Sequence, residues 1–234
     1  MNLSVAFRDR FHAGRCLAKE LEAYAGREDA IVLGLARGGI PVAYEVASHL
    51  RLPLDVFIVR KLGVPGYGEL AMGAIASGGV RVVNRDVLHR LLPDAEQVLE
   101  TVTEKETAEL ERREVEYREG RHPLEVTRRV SILIDDGLAT GASMRAAAAA
   151  LRQKGAARII VAVPVGSLNT CREFEHEVNE VICVNAPEWF EAVAHYYEDF
   201  SQTTDDEVRA LLAAAAENLK ERDRGNSHDL KAPF

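Results

Sequence analysis

A chain of 234 residues, 47% hydrophobic and 28% charged, has the composition of a globular protein with one large core or two small ones. Its net charge of −8 argues against non-specific nucleic-acid binding, and no apolar run approaches the ~20 residues of a membrane span. Met1 is not followed by a basic segment and an apolar core, so no leader is expected, and the scattered Cys16, Cys171 and Cys183 predict inert thiols in a reducing, cytoplasmic setting.

Residues 9–25 carry Phe11, Gly14, Leu17, Ala18 and Leu21 at helical period, with Gly26 placed just past the end. Asp9 or Ser4 would cap this helix; the pattern does not choose. Residues 30–35 form an apolar run of the kind a strand covered on both faces needs. The run leads into Ala36-Arg37-Gly38-Gly39, and Pro41 suits the first turn of a helix over residues 41–49. Glycines let the backbone approach an anion, and Arg37 offers a planar fork for phosphate oxygens. The alternative is a tight turn with a surface arginine.

Residues 54–59 read as the next strand, ending at Arg60-Lys61. Residues 62–73 hold four glycines and Pro65 and read as a mobile loop. Gly78-Gly79 between two apolar stretches, 73–77 and 80–84, signals a hairpin. A short helix is expected over residues 86–92. Residues 94–118 predict a long charged helix. Its apolar stripe of Ala95, Val98, Leu99 and Val102 fades beyond Thr103, and Glu109–Arg113 and Glu114–Arg118 are i,i+4 pairs. That helix reads as solvated, with a partner or dimer helix as the alternative.

The chain is organised around residues 130–143. Val130, Ile132, Leu133 and Ile134 make a short buried strand that stops at Asp135-Asp136, and ligands of open α/β sheets bind outside the carboxyl ends of the strands. Two carboxylates there can accept from vicinal hydroxyls or meet a magnesium ion. Ala139-Thr140-Gly141-Ala142-Ser143 has almost no side-chain bulk, so its amides and the start of the following helix can face an anion, with Thr140 and Ser143 adding hydroxyls. A ribose 5-phosphate carries a diol and a phosphate to match. The bland alternative is a generic strand-turn-helix with a capping Asp.

Alanines 146–150 suit close packing of the next helix on a sheet, and Gly155 ends it. A strand over residues 158–163, a helix from Ser167 to about residue 176 and a last core strand over 181–184 follow. Strands alternating with helices predict a parallel sheet with helices on both faces. Residues 185–200 are rich in aromatics: Trp189, Phe190, Tyr196, Tyr197 and Phe200. Thr204-Asp205-Asp206-Glu207 reads as a capping box opening a helix to about residue 220, and residues 221–234 as a polar, disordered tail.

The acid pair with its Thr-Gly turn resembles the 5-phosphoribosyl-1-pyrophosphate (PRPP) motif of type I phosphoribosyltransferases, in the form of the adenine and orotate enzymes. Arg37-Gly38-Gly39 resembles their pyrophosphate loop, and Arg60-Lys61 the pair that opens the flexible loop of orotate phosphoribosyltransferase. Residues 187–200 resemble the hood of the purine enzymes. The resemblance implies an α/β fold with a parallel sheet flanked by helices, a small hood and an extra long charged helix. One domain would span residues 1–220, with a core over 27–186, a hood from the first helix and residues 185–220, and a helical insertion over 94–118.

It implies displacement of pyrophosphate from PRPP by a nitrogen nucleophile such as a nucleobase, with Mg2+ as cofactor and a homo-oligomer, a dimer, as the assembly; neither a membrane nor a nucleic acid is an expected partner. Asp135, Asp136, Arg60 and Lys61 would be catalytic. Ala139, Thr140, Gly141, Ala142 and Ser143 would join the acids in binding PRPP, and Arg37, Gly38 and Gly39 would hold pyrophosphate. Trp189 and Phe190 would face the base, and Asp135, Asp136 and Asp199 the metal. Ala139 leaves no carboxylate in the turn to deprotonate a purine. A non-catalytic PRPP- or nucleotide-binding regulator and a hydrolase of a phosphoribosyl bond are the alternatives.

Overall fold

The computed structural model describes residues 7–85, 87 and 94–229. Its main sheet has five parallel strands in the order β2-β1-β6-β7-β8: β1 Ala30–Leu35, β2 Leu54–Phe57, β6 Val130–Ile134, β7 Arg158–Val165 and β8 Glu180–Asn185. β1 and β6 are buried at every position, which is why they read as uninterrupted apolar runs. The pleat sorts their side chains. Val130, Ile132 and Ile134 pack with Leu17 of α1 (Arg10–Glu20), with Leu21 just past its end, and with Val42 and Val46 of α2 (Gly39–Leu50). Leu133, with Ile31, Val161 and Val163, packs against Ala147 and Leu151 on the other face. Each such fully buried Leu, Ile or Val contributes about 1.5–3 kcal/mol. Asp9 caps α1, its carboxylate accepting from the His12 amide at 2.6 Å.

Residues 62–73 do not form a loop. β3 (Val59–Val64) and β4 (Tyr67–Ala76) pair antiparallel, and β5 (Val80–Val83) completes a small three-stranded sheet in the order β3-β4-β5. Leu62, Val64 and Met72 are buried in a second core with Leu99 and Leu110. The glycines serve the ladder. Gly66 turns the chain at φ 82°. A Cβ on Gly73 would lie 2.3 Å from the Val82 carbonyl, so glycine lets the strands approach. Gly78 and Gly79, at φ 81° and 75°, make the expected turn between β4 and β5. Most of the expected short helix over 86–92 lies outside the described residues.

The long helix α3 (Ala95–Arg118) is charged but not freely solvated. Leu99, Leu110 and Tyr117 are buried, and both expected ion pairs form, Glu109–Arg113 at 2.7 Å and Glu114–Arg118 at 3.2 Å. Arg118 is itself buried. It donates to Asp55 at 3.0 Å and to the Val56 carbonyl at 3.1 Å, fastening α3 to the edge strand β2. Between Leu99 and Tyr117 the buried positions are too sparse to read as a stripe.

α4 (Ala142–Gln153) and the short α5 (Leu168–Phe174) follow β6 and β7. Thr204 caps α6, its hydroxyl accepting from the Glu207 amide at 3.1 Å. α6 runs from Asp205 to Asp229, through residues expected to lack structure; residues 230–234 of the expected tail lie outside the described residues. α6 packs on α2, α3 and β2, and the Phe7 amide donates to the Tyr196 carbonyl at 3.0 Å. Among the described residues no helix is long and apolar enough to cross a membrane.

Candidate functional site

β1 and β6 are neighbours in register, Gly34 opposite Ile134, so the turns that follow them meet. A Cβ on Gly38 would lie 2.1 Å from Asp136 Oδ2, and one on Gly39 would lie 2.6 Å from the Ile134 carbonyl. The glycines of Arg37-Gly38-Gly39 are therefore required by the acid pair. The Ala36–Arg37 peptide is cis. Beyond the acids, the Leu138 amide donates to Val165 and its carbonyl accepts from Ser167, both at 2.9 Å, tying the next turn to the end of β7. Gly141, at φ 73°, brings that turn into the N-terminus of α4.

The acids sit in little solvent. Burial pushes the Asp135 carboxyl well above the usual range, and the neighbouring Asp136 charge adds to it. Burial also raises Asp136, but Arg10 opposes the shift. Arg10 Nε and Nη2 lie 2.9 and 2.8 Å from Asp136 Oδ2, and Nη1 donates to the Ser201 carbonyl at 2.6 Å. The Arg10 guanidinium lies 3.9 Å from the centre of the Phe200 ring. The Tyr197 hydroxyl donates to the Asp136 carbonyl at 2.6 Å; burial is the main reason its own ionisation is pushed up. Sequence reasoning missed Arg10 and Tyr197. A signal for Arg10 existed: a cation in the first turn of a helix opposes the macrodipole and needs a partner. Nothing separated Tyr197 from the neighbouring aromatics.

The expected Arg60-Lys61 pair is split by the pleat. Arg60 points to α3, where it meets Glu106 at 2.6 Å. Lys61 lines a cavity of about 880 Å³ together with Thr140, Ala142 and Ser143. Arg37 lies 3.6 Å from Asp205, whose carboxylate also accepts from the Tyr117 hydroxyl. That hydrogen bond, then burial against it and Arg37 in support, leaves Asp205 below the usual carboxylate range.

The aromatic segment reaches the acids through Tyr197 and through Val193, whose side chain would lie 2.5 Å from a Cβ on Gly137. Phe190 stacks on Tyr196 with centroids 5.7 Å apart, whereas Trp189 is 78% exposed. Asp199 accepts from the Ser201 amide at 2.8 Å.

Among the described residues no group of three or more His, Cys, Asp or Glu side chains could hold a metal. Asp135 and Asp136 offer oxygen donors of the kind magnesium takes, but too few for six-fold coordination. That donor set fits an ion carried in on a ligand's phosphate oxygens better than a resident one.

Residues 8–201 match the phosphoribosyl transferase domain family. Two curated proteins of Mycobacterium tuberculosis, from strains CDC 1551 and H37Rv and each named "Putative phosphoribosyl transferase", are 45% identical to this chain over 215 residues. The match covers 92% of this chain and 48% of each relative, so the chain spans about half the length of the curated relatives it matches. The crystal structure of the Thermus thermophilus protein TT1426 is similar with a TM-score of 0.78 and 42% identity, covering 89% of this chain and 98% of that one. The family match over residues 8–201 spans the main sheet and the turns that follow β1 and β6, and the chain belongs to the phosphoribosyl transferase domain family.

Proposed function

We propose that this chain transfers a phosphoribosyl group from magnesium-bound PRPP to a nitrogen nucleophile, a nucleobase in the simplest case. The observation that carries the reading is the meeting of Arg37-Gly38-Gly39 with Asp135-Asp136 at the carboxyl ends of β1 and β6, with Ala139–Ser143 leading on from the acids into α4. Asp135 and Asp136 hold the ribose hydroxyls and favour the cationic ring that develops as the bond to pyrophosphate breaks. The Thr140–Ser143 amides and hydroxyls fix the 5-phosphate. Arg37, with the Gly38 and Gly39 amides, takes the pyrophosphate. Lys61 faces the cavity beside Thr140 and Ser143 and adds positive charge where phosphate oxygens gather.

Magnesium, held by PRPP and reached by Asp135 or Asp136 through water, would supply neutralising charge to the pyrophosphate oxygens. Residues 187–200 close the site toward the base. The active assembly in this reading is a homodimer, which light scattering checks. The test of the reaction is pyrophosphate release from magnesium-PRPP with a panel of nucleobases. Release only with one base supports the transferase, and release without any acceptor supports a hydrolase. Tight PRPP binding with no release under any condition supports a regulatory protein.

A further inference from the structure

The turn proposed to take the 5-phosphate has its backbone oxygens tied back on the side away from the ligand. Three consecutive carbonyls are occupied. The Ala139 carbonyl accepts from the buried Thr170 hydroxyl at 2.7 Å. The Thr140 carbonyl accepts from Arg145 Nη1 at 2.7 Å. The Gly141 carbonyl accepts from the Arg145 amide at 2.8 Å. By contrast, the amides of Thr140, Gly141, Ala142 and Ser143 have no backbone acceptor among the described residues, as expected where a helix begins.

The groups that hold the carbonyls are themselves held. Arg145 donates from Nε to Glu177 at 2.8 Å and from Nη2 to Glu173 at 2.6 Å. It also lies 4.8 Å from the centre of the Phe174 ring. Phe174 and Thr170 wall the back of the turn, where a Cβ on Gly141 would meet them at 2.5 and 3.2 Å. A peptide flip in this turn would swing a carbonyl toward the anion and remove an amide from it.

We infer that Thr170 and Arg145 are positioning residues that lock the Thr140–Ser143 turn with its amides outward, so that the segment containing α5 sets affinity for a 5-phosphate without touching it. The inference rests on the phosphoribosyl reading of the site. It explains a distribution of polar contacts that the fold alone does not demand. Thr170 could bond within its own helix, and Arg145 could remain solvated.

Thr170→Val keeps the side-chain shape and removes the donor; Thr170→Ser keeps the donor. Calorimetry with ribose 5-phosphate, magnesium-PRPP and magnesium pyrophosphate reads the effect. Thr170→Val should weaken both ribosyl phosphates roughly three- to tenfold, the size of one lost hydrogen bond. Pyrophosphate, which lacks the 5-phosphate, should bind as to wild type, and Thr170→Ser should restore ribosyl-phosphate affinity. A general loss of packing would weaken all three ligands alike. Arg145→Lys, which keeps the charge but cannot span Glu173, Glu177 and the Thr140 carbonyl together, provides the same comparison should Thr170→Val not fold.

Wild-type affinity for ribosyl phosphates in both Thr170→Val and Arg145→Lys, with PRPP still bound, overturns the brace and leaves the transferase reading standing. A wild type that binds ribose 5-phosphate but not PRPP overturns the transferase reading, and the variants then decide the brace on that ligand. A wild type that binds neither overturns both.

Discussion

Arg10 and Asp136 form a buried ion pair at 2.8 Å, joining the first turn of α1 to the end of β6. Their side chains are 11% and 15% exposed, so neither charge is well hydrated and each depends on the other. Arg10 also donates from Nη1 to the Ser201 carbonyl and covers Phe200. It thereby fastens the N-terminal helix and the aromatic segment to the acid pair.

Removing Arg10 leaves Asp136 as an uncompensated buried charge. Arg10→Gln should cost about 3–5 kcal/mol at pH 7. Asp136 is already raised by burial, and Arg10 is what holds it down. Without Arg10 its carboxyl rises further, so the folded variant takes up a proton as pH falls and regains stability. Denaturant unfolding at pH 7 and pH 5 should therefore show a larger loss at pH 7, and Arg10→Gln with Asp136→Asn should recover most of it. Equal losses at both pH values would show that packing on Phe200, not the charge, is what Arg10 supplies.

Asp135 should show the opposing demands of stability and binding. Its folded carboxyl is raised, by burial first and then by Asp136. A raised carboxyl binds its proton more tightly folded than unfolded. The contribution of Asp135 to stability is therefore most favourable below the unfolded value of about 4 and is lost as pH rises through the folded one. Asp135→Asn removes that penalty. Its melting temperature should exceed that of wild type at pH 7 and differ little near pH 4, while magnesium-PRPP binding is strongly weakened. A variant less stable than wild type at pH 7 would place Asp135 among the structural residues.

Arg60 and Lys61 are adjacent in sequence but should behave differently. Lys61→Ala should lower kcat by about 10²-fold, as for loss of one charge-stabilising donor, with little change in stability. Arg60→Ala breaks a part-buried pair with Glu106 and should cost about 1 kcal/mol of stability while leaving kcat within a few-fold. Steady-state kinetics, once an acceptor is found, with thermal melts of both variants, separates the two. Matching kinetic losses would mean that the hairpin turns over when ligand binds.

Ser131 is fully buried on β6, and its hydroxyl has no hydrogen-bond partner among the described residues. It is flanked in register by Ile31 and Ile159. An unmatched buried hydroxyl costs about 1–3 kcal/mol, so Ser131→Ala should stabilise the protein by about 1 kcal/mol without altering ligand affinity. Urea unfolding measures this directly. A destabilised Ser131→Ala would show that the hydroxyl is satisfied in solution.

The sequence by itself determined the strand-turn-helix units built on β1 and β6, the Gly78-Gly79 hairpin and the ion pairs along α3. Each is written in contiguous residues: an apolar run, a glycine pair, a four-residue spacing. It also placed the acid pair at a strand end, because apolar burial must stop where the sheet meets solvent. It misread residues 62–73, since glycine content carries two meanings, chain freedom and close approach, and only the approach of the Val82 carbonyl to Gly73 selects the second. The pleat guaranteed that Arg60 and Lys61 would point apart, but which faced α3 and which the cavity depended on where the second core formed. Arg10 and Asp136 are 126 residues apart in the chain. Their pairing, like the hold of Thr170 on Ala139, exists only because separate segments are packed against one sheet, and no local pattern encodes that distance.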